Sequence, residues 1–430
     1  MSKRLESLES TLLNQTVLSD WFKPMQQALE KVRYSRKRFP TLKADVFILL
    51  GCLRQLQGMK TLRDQVQCLF HWDEAADKPP LARSTWSDAL SNTYRQTILR
   101  EAMKVLVTIA RARLPDRYAQ FEELGSRSLI ALDATYQTES SHYYPVYPRA
   151  GGGDNKKGHM AFTTYDMRAG IAVDTETDTT SVDEMRFVKE RWKQDYWTCV
   201  KNAIYIVDRA FIQASYWDER KTKYKATVIT RLKSTFVYEV FDTLPVEKTE
   251  NNTGVLKDER IQLKSSKQVW RLVTFKSPEG YEYEYLTNDF TLTPGMIAFL
   301  YHKRWDEEKY FDTYKTDLGN TKAWAKSTIA IEQQALLGLV THILMRLFLH
   351  EQGKKLGLEE DHQTQKKRHN NKARDYFYKV RGAVYYNRAF FKKLSKITKQ
   401  AWRFLRNCFL KKSSQRLFER ELRPVLMAYL

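Results

Sequence analysis

The chain has 430 residues, 42% apolar and 13% aromatic, enough for roughly two to four folded domains with substantial cores. Its net charge of +21 is more than solubility requires and points to nucleic acid as the partner, with an acidic membrane surface as the rival. No run reaches the roughly 18 consecutive apolar residues of a spanning helix, the opening MSKRLESLES is unlike a secretory signal, and the four dispersed cysteines form neither a disulfide framework nor a zinc site, so a cytoplasmic protein with reduced thiols is expected.

Residues 1–125 read as a helical N-terminal DNA-binding domain, with helical apolar spacing over Asp45 to Leu56 and Arg95 to Arg113. Thr85 with Asp88 three positions on resembles a capping box that opens a short helix after Arg83. Lys31, Arg33, Arg36, Lys37 and Arg38 around Tyr34 form a candidate phosphate-contact patch, for which a solvated helix end is the plainer reading.

From Ser128 the pattern changes to strands: SLIALDAT, HMAFTTYD, GIAVDT and, after a helical stretch from Val182 to Trp197, AIYIV ending at Val207. Three strands, a helix and a strand are the order of a mixed α/β sheet in which the helix crosses over to a parallel strand. A helix over Ala210 to Lys223 and a strand over Ala226 to Arg231 complete this first part, residues 126–232. Residues 233–287 alternate β-branched, aromatic and polar types, as in QVWRLVTF and YEYEYLT, and read as a β-rich insertion. Pro294-Gly295 punctuates the chain before a second core part, residues 288–350, whose Ala335 to Leu349 reads as a buried helix. Residues 351–430 form a basic helical C-terminal region with interleaved aromatics, a DNA-contact or dimerisation surface.

Three places carry chemistry. Asp133 interrupts one apolar strand and Asp208 ends another, where an ionised carboxylate is costly unless it is paired or holds a cation. The third is LYHKRWDEEKYFDTYKTDL, residues 300–318. At about 100° per residue, Tyr301, Arg304, Glu308 and Lys315 share an arc of about 60°, beside an apolar stripe of Leu300, Phe311 and Leu318. The polar arc is expected at the rim of the core, and Glu308 lies on it while Glu307 does not. Asp312 remains a geometric rival. Three converging carboxylates make a hard oxygen site suited to two Mg²⁺ ions, with Mn²⁺ as substitute, and to phosphoryl transfer. The glycine-rich run Gly151 to Gly158 lacks a Gly-Lys-Ser/Thr ending, so no nucleotide cofactor is expected. Arg149, Lys156 and Lys157 on that loop are candidates to touch DNA, and Asp166, Asp174, Asp178 and Asp183 are read mostly as solvated loop acids.

These residues resemble the DDE transposases of bacterial insertion sequences, in particular the insertion-sequence-4 group with its Tyr, Arg, Glu, Lys signature. The signature falls on Tyr301, Arg304, Glu308 and Lys315, and the resemblance covers about residues 128–320, including Asp133 in LIALDAT and Asp208 in YIVDRAF. It implies a ribonuclease H-like core in which Asp133, Asp208 and Glu308 are catalytic and hold the metals. It also implies cleavage at the element's ends by water, followed by attack of the freed 3′-hydroxyl on target DNA. Tyr301, Arg304 and Lys315, with Arg209 beside the second aspartate, would contact end DNA, and the complex would be a homodimer. A nuclease of the same fold that does not join strands, or an inactive transposase-derived DNA-binding protein, would carry the same pattern. If a base is flipped during hairpin formation, Trp270, Tyr281, Tyr283 and Tyr285 are the aromatics available in the insertion, each also fit for a plain core role.

Overall fold

The computed structural model describes residues 16–35, 38–39, 41–57, 81–138, 158–179, 183–191, 200–277, 280–304, 310, 318, 323–325 and 327–355. Glu308, Lys315, Arg36, Lys37, Arg149, Lys156, Lys157, Asp312 and the basic region beyond residue 355 lie outside them.

Four helices open the described chain: α1 (Thr16–Glu30), α2 (Ala44–Gln57), α3 (Arg83–Leu90) and α4 (Thr93–Arg113). The expected capping box at Thr85 does not form. Helix α3 starts earlier, with Ala82 in the cap position and no side-chain cap, because burial of Trp86, Ala89 and Leu90 sets its first turn. The cap that does form is Asn92, whose side chain accepts from the Arg95 N–H at 3.0 Å to open α4.

The core strands follow in the expected order: β1 (Leu129–Thr138), β2 (Gly158–Asp166), β3 (Ile171–Thr179), helix α5 (Glu184–Arg191), β4 (Ile204–Val207), helix α6 (Ala214–Tyr224) and β5 (Thr227–Arg231). The stretch after Asp208 is not one helix. A short 3₁₀ turn, Arg209–Phe211, precedes α6, since Phe211 and Ile212 turn into the core between them. Strands β1 to β3 pair antiparallel, whereas β4 and β5 run parallel to β1. The helical crossovers to parallel strands are what the sequence order requires. Strand β4 is buried along its whole length, as a parallel strand covered on both faces must be.

The insertion forms β6 (Tyr238–Thr243), β7 (Val255–Leu263), β8 (Val269–Lys276) and β9 (Glu282–Thr287). It continues the core sheet: β9 pairs antiparallel with β5, giving one nine-stranded sheet in the order β3-β2-β1-β4-β5-β9-β8-β7-β6. The result is a mixed α/β core with an antiparallel wing.

Two last helices follow, α7 (Pro294–Lys303) and α8 (Thr328–Lys355). Residues of alternating parity on the strands serve two cores. Leu129, Ala131, Ile204, Ile206 and Ile229 face the helical layer of α1 to α4, α7 and α8. Ile130, Leu132, Tyr205, Val207 and Val228 face α5 and α6, where Phe187 and Trp217 are fully buried. Helix α8 meets the length and hydropathy of a membrane span, but it packs against α1, α2, α4 and β3 as a core helix. Its His342 is buried, which pushes the imidazole down to about 3, with Arg346 adding to the effect. Cys52 is a buried free thiol, pushed up to about 12 by desolvation against a weaker opposing hydrogen bond with Thr341.

Candidate functional site

The parity of the strands decides where the acids point. Leu132 pairs with Val207 across the parallel β1–β4 ladder, so Asp133 and Asp208 are the next residues along each strand. Adjacent strands lie about 4.8 Å apart, which puts the two backbones side by side. Leu132 and Val207 belong to the α5/α6 core, so the alternation turns Asp133 and Asp208 to the opposite face, toward α7. Asp208 continues the strand direction with φ −72° and ψ 163° before the 3₁₀ turn.

Helix α7 is locked over that face. The Thr293 side chain caps it by accepting from the Met296 N–H at 3.3 Å, and Pro294 occupies the first turn, where its missing N–H is harmless. Glu123 accepts from the Thr293 N–H at 2.9 Å. Gly295 permits a close approach to the insertion, because a Cβ there would stand 1.5 Å from the Asn251 carbonyl oxygen. Pro294-Gly295 is therefore the start of the site helix and not a break before it. Arg304 is its C-cap residue.

At that end Arg304 Nη1 donates to Asp133 Oδ2 at 3.1 Å, while Asp133 Oδ1 accepts from the Ala134 N–H at 2.8 Å. The Arg304 guanidinium carbon lies 5.7 Å from the Tyr301 ring centroid. Tyr301 does not sit at the rim. It is only 9% exposed, because Tyr285 from β9 covers it with ring centroids 5.2 Å apart. Burial raises the Tyr301 phenol above its ordinary pKa, Arg304 opposes the rise and Asp208 adds to it. That coupling places Asp208 in the same cluster as Tyr301. No described residue forms a hydrogen bond or ion pair with the Asp208 carboxylate.

Arg231 and two threonines, Thr163 and Thr175, lie beside the acids without having stood out in the sequence. Extending the β4–β5 register from Ile206 opposite Ile229 sets Arg231 beside Asp208, and Arg231 is itself paired with Tyr285 on β9. On the other side Asp133 pairs with Thr163, which pairs with Thr175. One row thus crosses the sheet: Thr175, Thr163, Asp133, Asp208, Arg231, Tyr285. Only the register shows it. The strand-end signal at Arg231 alone reads as a solvated cation.

The remaining expectations fall elsewhere. Arg209 is exposed next to Asp208, Lys31 and Arg33 are exposed after α1, and Arg83 is exposed at the start of α3. Among the described residues, none of these four is joined to Asp133, Asp208, Tyr301 or Arg304 by a hydrogen bond or ion pair. Asp174 is not a loop acid. It is buried in β3 and its carboxylate lies 3.4 Å from Arg100. Asp166 and Asp178 are also strand residues, and Asp183 accepts from the Arg186 N–H at the start of α5. Trp270 and Tyr285 are buried, whereas Tyr281 is exposed. Among the described residues no three acidic, histidine or cysteine side chains cluster as a metal site.

A family model for the transposase DDE domain matches residues 124–344, from just before β1 into α8. The chain belongs to the transposase DDE domain family. No curated protein matches it in sequence. Among solved structures it is similar to a piggyBac transposase synaptic complex with hairpin DNA determined by cryo-electron microscopy. That likeness has 10% identity and a TM-score of 0.40 over 99% of this chain and 85% of the other. The family assignment rests on the domain match.

Proposed function

We propose that the protein is the transposase of an insertion sequence: it binds the element's ends, cleaves them by phosphoryl transfer and joins the freed 3′-hydroxyls to target DNA. The observation that carries this reading is the side-by-side placement of Asp133 and Asp208 on one sheet face beneath Arg304. Two carboxylates from neighbouring parallel strands, one of them with no hydrogen bond from any described residue, are a hard-oxygen donor set that fits Mg²⁺ or Mn²⁺. With Glu308 they would hold the ions, which supply Lewis acidity and an activated oxygen nucleophile. Arg304 fixes the orientation of Asp133 and lowers the repulsion between the two acids. Tyr301, Arg304 and Lys315 are assigned to end DNA, completing the insertion-sequence-4 type of signature. The helical segment before residue 125, with Lys31, Arg33, Arg36 and Arg83, and the loop with Arg149, Lys156 and Lys157 are assigned to further DNA contacts, in a DNA-dependent homodimer.

The test uses the full chain and duplexes carrying the DNA that borders the coding region, intact or precut. The wild type should cleave intact ends and join precut ones only with a divalent cation, and Glu308→Ala should bind ends but do neither. Retained metal-dependent cleavage in Glu308→Ala would sink the assignment. Cleavage without joining in the wild type would make the protein a nuclease of the same fold.

A further inference from the structure

We propose that Arg231 is a phosphate-binding residue of the reaction centre, holding one DNA phosphate beside Asp208. The assignment deepens the transposase reading and rests on it. Three observations point there. The register sets Arg231 next to Asp208 in the row that crosses the sheet, and strand parity turns it to the same face as Tyr301 and Tyr285. Its guanidinium carbon lies 5.0 Å from the Tyr283 ring centroid, so the cation sits over an aromatic shelf. No described carboxylate forms an ion pair with it, unlike Arg304, Arg127 and Arg271, which are all engaged by aspartates.

An arginine at the end of a buried strand is a costly choice when a neutral residue would close the row. Its chemistry explains the choice. A stacked guanidinium keeps its N–H edge for bidentate donation to a phosphate, a geometry that lysine cannot copy. The half-buried position restrains the side chain beside Asp208. Arg304 spends one guanidinium nitrogen on Asp133, whereas Arg231, the cation of this row, has no ion pair with a described carboxylate.

The test is a phosphate-neutralisation scan. Precut end duplexes from the bordering DNA carry a single methylphosphonate at successive backbone positions, and single-turnover joining is measured with Mg²⁺ for the wild type, Arg231→Ala, Arg231→Lys and Tyr283→Leu. For the wild type, one neutralised phosphate near the reacting end should slow joining about ten- to a hundredfold. Arg231→Ala should be slowed similarly on unmodified DNA and should show no more than about a twofold further loss at that same phosphate. Arg231→Lys should recover only part of the rate, and Tyr283→Leu, which keeps the cation and removes the shelf, should show a weakened dependence on that phosphate. A purely structural role would slow all duplexes alike and leave the scan profile unchanged. An Arg231→Ala profile identical to the wild type overturns the assignment. Should Arg231→Ala fail to fold, a Tyr283→Leu profile unchanged from wild type overturns it instead. If the wild type joins no end at all, the transposase reading itself is what fails.

Discussion

Breaking the Arg304 to Asp133 pair tests whether the site is built as described. The two groups are 3.1 Å apart, with side chains 10% and 19% exposed. At an effective dielectric of about 20 their Coulomb attraction is about 5 kcal/mol, most of it offset by the desolvation of both ions. The net coupling should then be about 1–3 kcal/mol. Arg304→Gln and Asp133→Asn are each expected to lower stability by about 2 kcal/mol, and the double variant by clearly less than the sum. Equilibrium urea unfolding of the four proteins gives the coupling from the midpoints and slopes. In the same set, Arg304→Gln should reduce cleavage even where the protein is fully folded, since Asp133 loses the donor that orients it. A coupling energy below about 0.5 kcal/mol would refute the reasoning, because strictly additive effects mean that the pair does not hold the two elements together.

Other consequences follow from the same packing. Tyr285→Ala should remove the ring that covers Tyr301 and cost about 3–4 kcal/mol, whereas Tyr281→Ala, on an exposed side chain, should change the urea midpoint little. Asp289 is buried, which alone would raise its pKa, but Arg127 and the N–H groups of Leu292 and Thr291 hold it well below the carboxylate range. Its folded pKa is depressed, so its contribution is complete above the unfolded value near 4 and is lost as pH falls further. Asp289→Asn should therefore cost about 3 kcal/mol at pH 7, and the gap to wild type should narrow below about pH 4 in urea titrations. His342 is depressed by burial to about 3, so the wild type should lose up to about 3 kcal/mol between pH 6.5 and pH 4, and His342→Leu should lose less over that interval.

Much of this architecture was legible in the sequence because it follows from periodicity. Apolar β-prone runs located the core strands, and an aspartate inside or at the end of a buried strand is conspicuous, so Asp133 and Asp208 stood out. What was hidden depends on neighbours distant in the chain. The position of Tyr301 on its helix is a local property, but whether the phenol lies at a rim or under a ring depends on Tyr285, sixteen positions earlier and in strand β9. Arg231 is, in the sequence, only the last residue of a strand; two ladders set it beside Asp208. Likewise the insertion announced its strands by alternation, yet only the pairing of β9 with β5 shows that it extends the core sheet. The Thr85 cap failed for a similar reason, since Trp86 and Leu90 fixed the start of α3 through burial.

The most direct test of the central claim is Asp208→Asn, a near-isosteric change at a carboxylate that no described residue engages. Folding and affinity for the end duplex should stay within a few-fold of wild type, while Mg²⁺-dependent cleavage and joining should fall by a thousandfold or more, on the order of 4 kcal/mol of transition-state stabilisation. An Asp208→Asn protein that still cleaves and joins at a rate near wild type would contradict the account, because the paired strand acids would then not be the reaction centre.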